Sequence, residues 1–165
     1  MKLGAQLYTL RKQMKTPDEI ERGLERIAKM GYSCVQVSGI GKIDAQKLQS
    51  ICDRLSLEIA VTHIPSDRLL GDTARVIAEH KIMNCKYVGL GSMPKVYRSA
   101  AGVDEFKQYF TRAVEELRAA DLAFTYHNHA FEFERVDGCL IFDRLLNAFS
   151  PEQMKVTLDC YWVNY

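Results

Sequence analysis

Short apolar strands alternate with amphipathic helices along the whole chain, and this alternation restricts the fold more than any other feature. The strands begin near residues 3, 33, 57, 86, 122 and 155, so one strand and one helix fill each interval. Strands that are separated by helices in this way predict a parallel sheet with the helices outside it. Two architectures meet the pattern, namely an open doubly wound sheet and a (β/α)₈ barrel of the TIM type.

One helix has clear start and stop signals. Thr16 and Glu19 form a capping box with Pro17 at the first helical position, and Gly31 suits the left-handed conformation that ends a helix. One continuous third helix is predicted from the apolar positions over residues 69–78, and His80 on this helix is predicted to be a surface residue. Residues 131–134 alternate aromatic and acidic side chains, which predicts a half-exposed β-ribbon.

Polar side chains that could bind a ligand stand at the ends of the predicted strands. They are Gln6 and Tyr8, Gln36 and Ser38, His63, His127 and His129, and finally Asp159. The carboxyl ends of the strands share one face in a TIM barrel, and enzymes with this fold place their active sites there. The first strand-to-helix connection has no Gly-x-Gly-x-x-Gly, which disfavours a dinucleotide-binding open sheet. The sequence therefore favours one barrel domain over residues 1–165.

Charge and cysteine content argue against several classes of protein. The net charge of +1 provides no basic surface of the kind that nucleic-acid binding requires. Five scattered cysteines without a Cys-x-x-Cys pair argue against a disulfide framework and a structural zinc site. No run approaches the roughly 18 apolar residues of a membrane span, and the N-terminus has no apolar leader. We expect a cytoplasmic protein with reduced, mostly buried cysteines and with no nucleic-acid or membrane partner.

Three segments of the chain carry a family resemblance. They are GAQLYTLR at residues 4–11, YHNHAFEF at residues 126–133 and TLDCYW at residues 157–162. In this order they resemble the sugar phosphate isomerase/epimerase family of the xylose-isomerase-like TIM barrels. A full barrel takes about 250 residues, so the resemblance implies an incomplete α/β barrel with about six of eight β/α units. The chain is then either a fragment or a truncated protein, and open strand edges in the second case favour a homo-oligomer.

The resemblance also implies a divalent metal on the face formed by the carboxyl ends of the strands, with ligands from four late strands. Asp159 occupies the sixth-strand position, and His127 stands where many members have a glutamate. The other two ligands belong to the seventh and eighth strands, beyond the end of this sequence. An imidazole ligand favours Mn²⁺ or Zn²⁺, and Mg²⁺ and Co²⁺ are further candidates. We predict His127 and Asp159 as metal ligands, although a satisfied histidine and a loop-capping carboxylate are the alternatives.

Further site predictions follow from the same strand ends. His129 and Glu132 are predicted to transfer protons, because catalysis at a sugar carbon needs an acid and a base. The predicted substrate-binding residues are Gln6, Tyr8, Gln36, His63 and Trp162. Neutral amides suit sugar hydroxyl groups, and an indole ring can stack on a sugar face, although packing under a loop is the alternative for Trp162.

The expected function is metal-dependent isomerisation or epimerisation of a sugar, sugar phosphate or related polyol through an enediolate. Two alternatives stay open. One is a lyase that acts on 3-keto-glycosides with the same metal and enolate chemistry. The other is a non-catalytic barrel remnant that binds a sugar or its own copies. In a fragment, any activity would belong to the complete barrel.

Overall fold

A computed structural model describes residues 2–164, and this part of the chain divides into two compact units. The first unit contains residues 2–63 and 75–88, and the second contains residues 64–74 and 89–164. The prediction of one barrel domain is not decided by this division and stays a prediction. No helix in residues 2–164 is long and apolar enough to cross a membrane.

The elements alternate as the sequence predicts. In chain order the strands are β1 (Gly4–Gln6), β2 (Cys34–Val37), β3 (Glu58–His63), β4 (Tyr87–Leu90), β5 (Ala123–His127), β6 (Arg135–Val136), β7 (Cys139–Leu140) and β8 (Lys155–Thr157). The helices are α1 (Pro17–Lys29), α2 (Ala45–Arg54), α3 (Ser66–Gly71), α4 (Thr73–Ile82), α5 (Ala100–Ala119), α6 (Ile141–Ala148) and α7 (Cys160–Val163). Short 3₁₀ turns cover Leu7–Leu10, Lys95–Tyr97 and Ala130–Phe133.

The main sheet has the strand order β1-β2-β3-β4-β5-β8, and β6 pairs with β7 in a separate hairpin. The six strands of the main sheet follow one another in chain order, as they do in a TIM barrel. The predicted fold class is therefore confirmed as an incomplete α/β barrel of the TIM type.

In the first unit, β2 pairs in parallel with both β1 and β3. The predicted capping box is present at the start of α1: the Thr16 hydroxyl accepts from the Glu19 N–H at 3.3 Å, and the Glu19 carboxylate accepts from the Thr16 N–H at 3.1 Å. Gly31 follows α1 with a φ of +87°, as predicted. Leu24 and Ile27 of α1 pack into a core that also contains Val35.

The prediction of one helix over residues 69–78 is wrong, because the chain breaks at Asp72. This residue has φ −148° and ψ 57°, so α3 ends before it and α4 begins after it. The prediction that His80 lies at the surface is also wrong. His80 is fully buried, and its two ring nitrogens lie 2.7 Å from the Thr62 hydroxyl and 2.7 Å from the Val76 carbonyl. The carbonyl can only accept, so Nδ1 carries a proton.

Aromatic rings fill the core of the second unit. The centre of the Phe106 ring of α5 lies 4.2 Å from that of Phe110. The Phe106 ring also meets the rings of Tyr126 and Phe149 edge-on, with ring centres 6.1 and 5.9 Å away. Strands β5 and β8 pair in parallel, so that Tyr126 is opposite Val156. This packing holds the end of β5 in place.

The predicted β-ribbon over residues 131–134 is wrong, because Ala130–Phe133 forms a 3₁₀ turn and the hairpin of β6 and β7 follows it. The turn forms because the Glu132 side chain folds back onto the backbone N–H of His129. The five cysteines are free, as predicted, and three of them are buried.

Candidate functional site

Two predicted metal ligands lie close together in the second unit. His127 is the last residue of β5, and Asp159 follows the neighbouring parallel strand β8 by two residues. The distance from His127 Nε2 to Asp159 Oδ2 is 3.7 Å. The sequence led us to expect this approach, since the ends of adjacent parallel strands lie at the same edge of a sheet.

The two oxygens of Asp159 face different partners. Oδ1 accepts a hydrogen bond from the Tyr161 N–H at 3.0 Å and so caps the short helix α7, whereas Oδ2 is the oxygen near His127. The side chains of His127 and Asp159 are 13% and 32% exposed, so a ligand can reach the pair. Burial lowers the pKa of His127, and the Asp159 carboxylate opposes this change.

Asn128 is part of this arrangement, and the sequence reasoning missed it. Its side chain is fully buried, accepts from the Asp159 N–H at 2.8 Å and donates to the Asp159 carbonyl at 3.1 Å. The signal in the sequence was an amide between two histidines at a strand end. The partner of that amide could not be read from the sequence, because it lies 31 residues away.

The ring of His129 lies beside the pair of His127 and Asp159. Its centre is 4.9 Å from the centre of the His127 ring and 5.4 Å from the centre of the Trp162 ring. Its Nδ1 atom is buried and has no hydrogen-bond partner among residues 2–164. Burial lowers the pKa of His129, the positive charges of a protonated His127 and of Arg98 lower it further, and the Asp159 carboxylate opposes this change. A neutral imidazole of this kind can accept a proton.

Glu132 is fully buried and contacts the backbone of His129. Its two oxygens accept from the Tyr126 hydroxyl at 2.5 Å and from the His129 N–H at 2.7 Å. Burial raises the pKa of Glu132, although both hydrogen bonds act in the opposite direction. The contacts of Glu132 are those of a group that fixes the His129 backbone. Its predicted role in proton transfer stays a prediction.

Arg98 is a second residue that the sequence reasoning missed. Its guanidinium lies 4.0 Å above the centre of the Phe131 ring, and it donates to the Met93 carbonyl at 3.0 Å and to the Ser92 hydroxyl at 2.8 Å. These contacts hold a cation in the same unit as the two histidines. Nothing in the local sequence distinguishes Arg98 from a surface arginine.

The first unit contains the predicted residues of the earlier strands. His63 Nε2 lies 2.6 Å from Gln36 Nε2, and His63 Nδ1 lies 3.1 Å from the Ser38 hydroxyl. Gln6 instead accepts from the Tyr8 N–H at 3.1 Å, within the 3₁₀ turn that holds Tyr8. The structure thus joins Gln36 to His63 and Gln6 to Tyr8, and their substrate contacts stay predictions.

The donors of the second unit fit two positions of a metal site. In tetrahedral zinc sites neighbouring nitrogen and oxygen donors lie about 3.4 Å apart, close to the 3.7 Å between His127 and Asp159. An imidazole and a carboxylate are also suitable ligand types for Mn²⁺ and Zn²⁺. Within residues 2–164 no group of three His, Cys, Asp or Glu side chains could hold a metal ion. On their own, His127 and Asp159 could provide two donors of a ligand set, and their role as metal ligands stays a prediction.

No family model matches the chain, and no curated protein matches it. Solved structures do match. A sugar phosphate isomerase/epimerase from Parabacteroides distasonis has a TM-score of 0.85 and 23% identity over 99% of this chain and 66% of its own. The structure of L-ribulose 3-epimerase has a TM-score of 0.70 and 13% identity over 99% of this chain and 62% of its own. An AP endonuclease of family 2 from Brucella melitensis has a TM-score of 0.71 and 14% identity over 98% of this chain and 69% of its own.

These identities are low, so the similarity shows the fold. The resemblance carried by the three sequence segments is confirmed at that level, because isomerase/epimerase and xylose-isomerase-like TIM barrels are similar to this chain over almost its whole length. The chain spans 66% of the first of these structures. An endonuclease is among the similar structures, and one fold can support several chemistries. Function must therefore be argued from the site.

Proposed function

We propose that this chain carries part of the active site of a metal-dependent isomerase or epimerase that acts on a sugar, sugar phosphate or related polyol. The observation that carries the proposal is the 3.7 Å approach of His127 Nε2 to Asp159 Oδ2. The pair lies at the carboxyl ends of two parallel strands, where TIM-barrel enzymes have their active sites. The similar structures of an isomerase/epimerase and of L-ribulose 3-epimerase support the substrate class.

Each site residue of the second unit is assigned a separate role in the reaction. A divalent metal, when bound, would hold adjacent oxygens of the sugar and stabilise the negative charge of an enediolate. His127 and Asp159 would supply two of its donors, with Mn²⁺ or Zn²⁺ as the first candidates and Mg²⁺ or Co²⁺ as others. His129 would remove the proton of the carbon next to the carbonyl as general base. In isomerisation it would return this proton to the neighbouring carbon as general acid, whereas epimerisation would also need an acid on the opposite face. Glu132 would hold the His129 backbone, and Trp162 would present its ring to the sugar.

The metal part of the proposal is tested by thermal unfolding of EDTA-treated protein with and without Mn²⁺ or Zn²⁺. Metal at 100 times its Kd stabilises the native state by about 2.7 kcal/mol, which for this chain length raises the Tm by roughly 5–10 °C. Asp159→Asn and His127→Ala should remove the shift. Asp137→Asn is the matched control, because this carboxylate is 79% exposed in the hairpin turn. A wild-type protein without any shift would refute a metal site in this chain.

The reaction is tested by NMR with a panel of ketoses and ketose phosphates in D₂O. An isomerase or epimerase should incorporate deuterium at the reacting carbon and give one isomer, whereas a 3-keto-glycoside lyase should give two fragments. A non-catalytic sugar-binding protein is the second candidate, since residues 2–164 hold no group of three metal ligands. That candidate predicts sugar binding without exchange. Homo-oligomerisation, a cytoplasmic location and the absence of nucleic-acid and membrane partners stay predictions.

A further inference from the structure

The position of Asp159 depends on the side chain of Asn128, the residue that follows β5. The β5–β8 ladder ends at the pair of His127 and Thr157, so no backbone pairing in the sheet reaches Asp159. The Asn128 side chain binds the backbone of Asp159 in place of a ladder partner. It accepts from the Asp159 N–H at 2.8 Å and donates to the Asp159 carbonyl at 3.1 Å. One amide thus binds both main-chain groups of Asp159, two residues beyond the ladder, and the Asp159 carbonyl also accepts from the Val163 N–H of α7 at 3.3 Å.

This amide is well suited to hold a backbone, because it is fully buried and neutral. A buried amide is costly unless its donor and acceptor are both paired, and here both partners belong to Asp159. An ionised aspartate at this position could accept from the N–H but could not donate to the carbonyl. The requirement for one donor and one acceptor therefore explains why an asparagine is present.

Three residues determine where the Asp159 carboxylate lies. Asn128 binds both main-chain groups of Asp159, the Val163 N–H donates to the Asp159 carbonyl at 3.3 Å, and the Tyr161 N–H donates to Oδ1 at 3.0 Å. With these contacts in place, Oδ2 lies 3.7 Å from His127. We propose that Asn128 is a positioning residue, which holds Asp159 against His127 and thereby sets the affinity of this pair for a divalent metal. The inference rests on the proposed function, because it takes the pair to be metal ligands.

The chain offers a matched control between the same two strands. The hydroxyl groups of Thr125 and Thr157 are hydrogen-bonded to each other across β5 and β8. Thr125→Val removes this bond and keeps the shape of the side chain, and it leaves the contacts of Asp159 in place. Comparison with Asn128→Ala therefore separates a general weakening of the strand pair from the loss of Asp159 positioning.

The experiment measures two quantities for the full chain. The first is the exchange rate of the Asp159 amide proton, measured by NMR in metal-free protein. It should increase at least tenfold in Asn128→Ala and stay unchanged in Thr125→Val. The second is the Kd for Mn²⁺ from calorimetry. It should rise about 10–100-fold in Asn128→Ala, as for other residues that orient metal ligands, and stay within about threefold of wild type in Thr125→Val.

Each result decides something. An unchanged Asp159 exchange rate in Asn128→Ala would overturn the proposal, and so would faster exchange with an unchanged Kd. If the wild-type protein binds neither Mn²⁺ nor Zn²⁺, the proposed function fails, while the exchange rates still decide whether Asn128 holds Asp159. If Asn128→Ala does not fold, Asn128→Leu fills the same volume without either hydrogen bond, and the same two measurements apply to it.

Discussion

The buried pair of Tyr126 and Glu132 predicts a stability change whose size depends on pH. Both side chains are fully buried, and the hydroxyl donates to the carboxylate at 2.5 Å. Tyr126→Phe keeps the ring in the core and removes this donor. The loss of a buried hydrogen bond to a charged group costs about 1.5–3 kcal/mol, and one to a neutral group costs about 1 kcal/mol. The cost should therefore depend on whether Glu132 is ionised.

The direction of the pH dependence follows from the raised pKa of Glu132. A carboxyl group whose pKa is higher in the folded state than in the unfolded state contributes stability. This contribution is fully present when the group is protonated in both states, below about pH 4.5. This stability is lost as the pH rises through the folded-state pKa. The Tyr126 hydroxyl lowers that pKa, so its removal raises the pKa further and makes the loss larger. We expect Tyr126→Phe to destabilise the protein by about 1 kcal/mol at pH 4.5 and by about 2–3 kcal/mol at pH 8.

Urea unfolding in EDTA at the two pH values measures this difference. With an m value of about 2 kcal/mol/M, the midpoint at pH 8 should fall by roughly 1–1.5 M. Tyr109→Phe is the matched control, because Tyr109 is 60% exposed and should change the midpoint little. In the Glu132→Gln background, the stability loss caused by Tyr126→Phe should no longer depend on pH. Equal losses at both pH values in the presence of Glu132 would refute the reasoning.

Three further outcomes are expected. Thr16→Ala removes the cap of α1 and should lower the free energy of unfolding by about 1 kcal/mol in urea titrations; an unchanged midpoint would contradict the role of the capping box. His80→Ala leaves a cavity beside the Thr62 hydroxyl, and we expect a loss of about 2–4 kcal/mol by the same assay, well above the loss in Thr62→Val. A thiol reagent at pH 8 should label only the exposed Cys139 and Cys160 in native protein, since burial raises the pKa of two of the three buried thiols to about 11 and about 12; labelling of more than two thiols before unfolding would count against this burial.

The features that the sequence predicted correctly depend on short-range patterns or on strand order. The capping box of Thr16 and Glu19 needs only residues three apart, which the helix geometry itself brings together. The approach of His127 to Asp159 needs only that their strands be parallel neighbours, and the alternation of strands and helices already predicts this. Such features can be recognised before any tertiary contact is known.

Two features that were missed depend on partners far away in the sequence. His80 was predicted to be exposed on its helix, but the Thr62 hydroxyl, 18 residues away, gives it a buried partner. Asn128 binds the main chain of Asp159, 31 residues away. The contact of Glu132 with Tyr126 spans only six residues, but no local pattern indicated it, and the predicted role of Glu132 in proton transfer stays a prediction. A polar residue near a strand end can serve catalysis or architecture, and only the packing around it distinguishes the two.

The registers of the strand pairs also bear on the order of folding. Gly4 pairs with Cys34 and Thr125 pairs with Lys155, so each of these ladders joins residues 30 positions apart. Closing a loop of this length costs about 3 kcal/mol of chain entropy, and the same segment contains a helix that can already be formed. The first ladder requires nothing beyond residue 37. A nascent chain can therefore form the pairing of β1 with β2 while its later strands are still being synthesised on the ribosome.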